Sequence, residues 1–244
     1  MISDEMATVL GLLQTKGPGS LTDTAEAAAG ALGMDGLAVS LVTTGDLTEL
    51  LWCTDGTARQ FQDLQLTLGE GPGPDTVRTG AMVWVPDLAS VSARRWPALA
   101  MEAPGLTARA LFCFPMTIGA IKVGVLTAVR DTPGRLTPGQ ADDALVLAAA
   151  LTARCLNHQE PETTGLDPLD LLCDLEHAVV HQATGMLSVQ LSLPLPAALL
   201  RLRAHTYSSG RPLTETAQDI VARRLRLDHS GNGEGTPGAL ADKD

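Results

Sequence analysis

The rhythm of apolar and polar positions divides the chain into two stretches. Up to about residue 156, helical and strand patterns alternate. In "TDTAEAAAGALG" (22–33) the alanines recur at helical spacing, with a capping pair at Asp23 and Glu26 and a stop at Gly33. Two runs rich in apolar and β-branched residues follow, "LAVSLVTT" (37–44) and "TELLWCT" (48–54). They flank "GDL" (45–47) and predict a hairpin. An amphipathic helix is predicted around 57–65. "LGEGPGPD" (68–75), with three glycines and two prolines in eight residues, predicts a loop. "MVWV" (82–85) reads as a short strand and 86–105 as irregular helix. "ARALFCFPM" (108–116) and "IKVGVLTAVR" (121–130) read as two strands joined by a turn at Gly119. "TPGQADDALVLAAALTARCL" (137–156) is a long helix with one nearly continuous apolar side.

After "NHQEPETTGLDP" (157–168), which has a linker's composition, the pattern becomes helical only. Three helices are predicted, at 169–191, 195–208 and 212–227. The tail 228–244 is predicted to be disordered. The expected organisation is an N-terminal helix in 1–20, an α+β domain over 21–156, a linker, and a three-helix unit over 169–227. In the α+β domain the element order predicts an antiparallel sheet flanked by helices.

Composition narrows the function. Hydrophobic content of 45% supplies a core, while aromatics at 3% leave its construction to Leu, Val and Ala. The longest apolar run, 144–153, is far short of a bilayer span, and the acidic start "MISDEMATVL" is unlike a signal peptide. A cytoplasmic protein with no membrane partner is expected. The net charge of −11 argues against wholesale nucleic-acid binding, but residues 176–227 carry six arginines against Glu176, Glu215 and Asp219. That segment alone is basic. The four cysteines form no CxxC pair, and no cofactor or metal motif is present. With no histidine in 1–157 and no nucleophile or phosphate-loop motif, an enzyme is not expected.

A ligand pocket in the α+β domain needs aromatics and a charge. Trp84, Arg94, Trp96, Arg109, Phe112 and Phe114 are the candidates, with plain core as the competing role for the aromatics. The stretch 68–89, "RRWPALA" (94–100), the strand pair and "VGVLTAVRDTPGRLT" together resemble the GAF domains of actinobacterial regulators, over about 20–156. The resemblance implies a domain that encloses a small ligand or serves dimerisation. One departure is Gly73, where the family often has cysteine after "GEGP", so thiol sensing there is not implied.

In the helical segment, Leu195, Ala198, Leu199 and Leu202 make a core-facing stripe, with Arg201, His205 and Ser208 opposite and Arg203 on its flank. Gly210 suits a left-handed helix end, and Arg223, Arg224 and Arg226 are expected in the last turn of the final helix, where they either complement the helix dipole or contact RNA. In "HAVVHQATGMLSVQL" (177–191), Gly185 interrupts an otherwise good helix at a cost of about 1 kcal/mol. Two reasons compete: close helix packing, or room for a ligand backbone. The residues from 181 to about 225, with Ala183, Gly185, Leu187, Ala198, Leu202, Arg203, Leu213 and Ala217 in place, resemble the ANTAR domain of transcription antiterminators. The chain departs from that family at Thr184, usually lysine, at Thr206, usually alanine, and at Pro196, usually near an acidic residue.

The resemblance implies a dimer that binds a two-stem-loop leader RNA and holds it against a terminator hairpin. The implied contacts are His177, His181, Gln182, Thr184, Gly185, Arg201, Arg203, His205, Tyr207 and Arg211. Splayed loop bases can stack on an aromatic ring, and arginines can take phosphates. The alternatives are a ligand sensor or protein-docking regulator that acts through dimerisation without RNA.

Overall fold

The computed structural model describes residues 2–14, 21–43, 48–54, 56–157 and 175–228, without the side chains of 14, 21–23, 157 and 175–177. The sequence-predicted linker beyond 157, the first residues of the 169–191 helix and the tail beyond 228 lie outside them. The chain divides into two compact units, Met1–Asp174 and Leu175–Asp244.

The first unit is α+β, with one five-stranded sheet in the order β2-β1-β5-β4-β3, antiparallel throughout. The strands are β1 (Gly36–Val42), β2 (Thr48–Cys53), β3 (Val83–Val85), β4 (Ala110–Ile118) and β5 (Ile121–Arg130). The β4 run "ALFCFPM" is apolar without alternation because the strand is central and covered on both faces. Its even residues Phe112, Phe114 and Met116 join one core with Leu37, Val39, Leu126 and Ala128. Its odd residues Leu111 and Cys113 join a second with Val125 and Val129.

Helices α1 (Asp4–Gln14), α2 (Leu21–Leu32) and α6 (Pro138–Asn157) cover the first face. Helices α3 (Thr57–Leu68), α4 (Pro72–Thr79) and α5 (Pro97–Glu102) cover the second. Thr137 and Gln140 form the capping box that starts α6, each side chain accepting from the other's backbone N–H. Buried Asp143 ties the start of α1 to α6 through the backbone N–H and hydroxyl of Ser3, at 3.0 and 2.7 Å. Gly119, with φ 56, makes the β4–β5 turn. Gly124 is fixed by the sheet: a Cβ there would run into the Ser40 carbonyl oxygen on β1.

The loop expected at 68–75 is in part a helix. Proline at the start of α4 has the fixed φ that a first helical turn needs, and Asp75 in that turn suits the helix dipole. Composition rich in Gly and Pro therefore marked a helix start as well as a bend.

The second unit packs α7 (Leu175–Gln190), α8 (Leu195–Ser209) and α9 (Leu213–Val221) around Val180, Ala183, Leu187, Leu191, Ala198, Leu199, Leu202, Leu213, Ala217 and Ile220. Gly210 ends α8 in the left-handed conformation, φ 64. The last helix is shorter than the expected 212–227. It stops at Val221, and Arg223, Arg224 and Arg226 leave it as a turn instead of forming its last turn.

Candidate functional site

Within the first unit, "LGEGPGPD" is a junction between helices. Gln65 on α3 reaches across, and its Oε1 accepts the Gly73 N–H at 2.8 Å. Gly71 has φ 137, and a Cβ there would sit 2.6 Å from that same oxygen, so only glycine fits. A Cβ at Gly73 would lie 3.1 Å from it, tight but movable. Glu70 Oε1 accepts the Leu99 N–H at 2.9 Å, satisfying the start of α5. "GEGP" and "RWPALA" are thus one structural joint.

Arg95 lies 4.3 Å from the Trp96 ring centroid and pairs with Asp75, which also pairs with Arg78, each at 2.9 Å. Burial pushes the Asp75 carboxyl up, but hydrogen bonds and charge from the two arginines hold it below the ordinary carboxylate value.

The six residues expected to line a pocket do not share one. Phe112 and Phe114 are core on the α1/α2/α6 face, while Trp96 is core on the other face. Trp84 projects beside Phe112, edge to face at 6.4 Å, but stays 42% exposed. Arg94 is exposed, and Arg109 pairs with Asp87 at 3.5 Å. The reason is the sheet between them: Phe112 and Phe114, two residues apart on β4, point to one face, while Trp96 stands at the start of α5, which covers the other. A cavity of about 50 Å³ does exist, among α1, α2, α6, β1 and β2. Its walls are almost wholly apolar and include Ala25, Ala28, Val39, Leu51, Trp52 and Leu147, with Arg154 and Cys155 also on the lining. None of the six is there. Cys113 is buried 3.6 Å from Thr127 Oγ1, and burial pushes its thiol up to about 12, which leaves it unreactive at neutral pH.

A groove of roughly 910 Å³ opens in the second unit. Gln182, Gly185, Met186, Val189 and Gln190 of α7 form one wall; Ile220, Arg223, Leu225 and Arg226 form the other. Residues 182, 185, 186 and 189 fall at i, i+3, i+4 and i+7, so one helix face makes the whole wall. Val189 is 82% exposed on it. A Cβ built at Gly185 meets nothing within 4 Å. Close helix packing is therefore not the reason for this glycine; it leaves the groove open.

Other expected RNA contacts fall elsewhere. Thr184 is only 4% exposed, and its Oγ1 donates to the Val180 carbonyl at 2.7 Å, so it belongs to the core and not to a surface. Of the two histidines on α7, His181 is half-buried and the side chain of His177 lies outside the described residues. None of the expected α8 residues lines the groove. Arg201 donates to the Asp228 carbonyl at 2.8 Å, and Tyr207 is exposed. Arg203 is half-buried, and burial lowers its pKa to about 10. His205 is pushed down by burial and by the Arg211 charge. Arg211 is held by Asp219 at 2.7 Å and by Glu215 at 3.9 Å. The groove instead recruits Arg223 and Arg226. Sequence had offered these arginines either to the helix dipole or to RNA; what it hid, with no glycine after α9, was that the helix stops at Val221.

No protein-family model matches the chain, and no curated protein matches it. Among solved structures, the GAF domain of an Acinetobacter phosphoenolpyruvate-protein phosphotransferase is similar at TM-score 0.48 and 14% identity, covering 65% of this chain and 96% of that one. The GAF domain of A. aeolicus nlh2 is similar at TM-score 0.47 and 14% identity, covering 64% and 96%. The free methionine-R-sulfoxide reductase of Neisseria meningitidis, solved with its substrate, is similar at TM-score 0.46 and 18% identity, covering 63% and 92%. What those proteins bind or catalyse is theirs.

Proposed function

We propose that the chain is a non-enzymatic regulator with a GAF-type sensor or dimerisation unit and an ANTAR-type RNA-binding output unit. It acts by stabilising a two-stem-loop leader transcript against a terminator. The observation that carries this reading is the groove. An apolar strip of Met186 and exposed Val189 on the α7 wall suits a splayed base, Gln182 can hydrogen-bond its edge, and Arg223 and Arg226 supply positive charge. Gly185 leaves the α7 wall of the groove bare at its middle, which distinguishes it from Gly11 and Gly30, helical glycines with open space that line neither this groove nor the first-unit cavity. Homodimerisation belongs to the proposal because two linked output units raise the avidity of a weakly basic module.

The test is binding of the full chain to a paired stem-loop RNA against a scrambled control. Gly185→Leu should leave the helical fold intact and weaken binding. Equal binding to both RNAs by the wild-type protein rejects the proposal. The competing reading, a docking surface for a protein, is favoured by α8, where Leu200 and Tyr207, seven residues apart, are 66% and 49% exposed. Under that reading Leu200→Asp abolishes partner capture and no RNA is retained. For the sensor unit, the 50 Å³ apolar cavity admits a xenon atom or a small alkyl group, and xenon binding that Ala28→Leu removes would support it.

A further inference from the structure

The turn that ends α9 has a feature that RNA binding alone does not require. Arg223 takes φ 59, a left-handed conformation that glycine adopts freely and other L residues resist. The turn around it is fully hydrogen-bonded. The Arg223 N–H donates to the Ile220 carbonyl at 2.9 Å and the Arg224 N–H to the Asp219 carbonyl at 2.8 Å, the paired closure of a helix end. In the same unit α8 closes with Gly210 in this conformation and α7 with Ser192, φ 51, so what sets α9 apart is the bulk and charge of the residue there. At α9 an arginine stands where glycine would be easier.

The three arginines of the turn have different surroundings. Arg224 is bound to Asp219, Nε to Oδ1 at 2.8 Å, and Arg211 holds the other oxygen of that carboxylate at 2.7 Å. Hydrogen bonds from Arg211 and Arg224 keep Asp219 below the ordinary carboxylate value, so it stays charged at neutral pH. Arg223 and Arg226 line the groove instead, and neither guanidinium has an ion pair or hydrogen bond among the described residues. An exposed charge is solvated and costs nothing; the strain lies in the left-handed backbone of Arg223 alone, which places its guanidinium on the groove beside that of Arg226.

We propose that residues 222–226 are a preset phosphate clamp, in which Asp219 fixes the turn through Arg224 while Arg223 and Arg226 receive the phosphodiester backbone of RNA lying in the groove. The inference rests on the RNA-binding reading and adds division of labour: Arg224 positions, Arg223 and Arg226 contact. Presetting the backbone turn removes its share of the ordering cost of binding, while the side chains of Arg223 and Arg226 are ordered by the RNA.

The experiment uses the full chain with a fluorescein-labelled paired stem-loop RNA, titrated at several salt concentrations, and amide hydrogen exchange across residues 213–221. Arg223→Gly should keep or raise protection of α9, because it relieves the left-handed arginine, while lowering affinity and reducing the log–log salt slope by about one. Arg226→Ala should reduce the slope similarly with protection unchanged. Arg224→Ala should lower protection near the helix end and leave the slope unchanged. If Arg223→Gly and Arg226→Ala bind RNA like the wild type, the clamp is wrong and RNA binding stands. If Arg223→Gly loses protection and affinity together, Arg223 is structural and the clamp is wrong. If the wild type prefers no RNA over the scrambled control, the clamp and the RNA-binding reading both fall.

Discussion

Gly124 and Gly71 in the first unit and Gly185 in the second stand under opposite constraints, although Gly11 and Gly30 in first-unit helices also have open space. In the first, Gly124 and Gly71 are dictated by neighbours: a Cβ at Gly124 strikes the Ser40 carbonyl, and one at Gly71 strikes the Gln65 side chain. In the second, Gly185 has open space where its Cβ would be. The arginines divide the same way. Arg95 and Arg109 in the first unit and Arg211 and Arg224 in the second are paired with carboxylates, whereas Arg223 and Arg226 on the groove have no ion pair among the described residues. A residue type carries no role until its surroundings are known. Where packing forces the residue, the explanation is structural; where packing is indifferent, the residue points to function only when, like Gly185, it also lines a groove.

The largest effect that would sharpen this contrast is expected for Gly124→Ala. The obstacle is backbone, and the central strand β5 cannot retreat without breaking its pairing with β1. A loss of about 3 kcal/mol, the upper part of the range for overpacking, should be seen by urea unfolding. A variant as stable as the wild type would mean that sheet register absorbs the methyl.

Much of the first unit was legible because strand and helix periods differ. The β1–β2 and β4–β5 hairpins and the long α6 fall close to where alternation and apolar runs place them. What could not be read was which face each strand residue joins. The aromatic set Trp84, Trp96, Phe112 and Phe114 looked like one pocket in sequence but is split by the sheet. "GEGPGPD" misled because proline stops a helix in its interior yet starts one at its first turn. In the second unit the core stripe of α8 was plain, but the groove was not. It depends on α9 stopping at Val221 and on Arg223 turning back, with no glycine to announce it. Thr184 lay among polar residues in sequence yet bonds its own helix inside the core.

The reverse of Gly124 is Gly185→Ala. Alanine has the higher helix propensity and nothing opposes its methyl, so α7 should gain about 1 kcal/mol. Denaturant unfolding measures it. A loss of stability instead would place Gly185 with Gly124 and return it to packing.

A smaller effect separates the ion pairs. Asp75→Asn removes a carboxylate shared by Arg78 and Arg95, and exposed pairs of this kind contribute up to about 1 kcal/mol. The folded-state pKa of Asp75 is lowered, so its contribution is complete above the unfolded value near 3.8 and is lost as pH falls through the folded value. The stability gap between wild type and variant should therefore be constant near neutrality and close below about pH 4. A gap that persists at lower pH would mean the asparagine has changed packing.

The smallest stability effect is expected at Asp219, whose carboxylate is solvent-facing although it bridges Arg211 and Arg224. Its sign with pH is the same: the lowered folded pKa makes the bridge complete above the unfolded value and loosens it as pH falls through the folded one. Solvent and salt screen it, so Asp219→Asn should change global unfolding less than Asp75→Asn does, and less again at high ionic strength. Its readout is local. Removing the negative charge that holds Arg224 frees the turn beyond α9, so hydrogen exchange at Arg224 and Leu225, whose amides both bond the Asp219 carbonyl, should quicken. The same substitution releases two arginines near the groove. If charge alone governed RNA binding, affinity would rise; if the fixed turn matters more, it would fall, and the groove then depends on order as much as on charge.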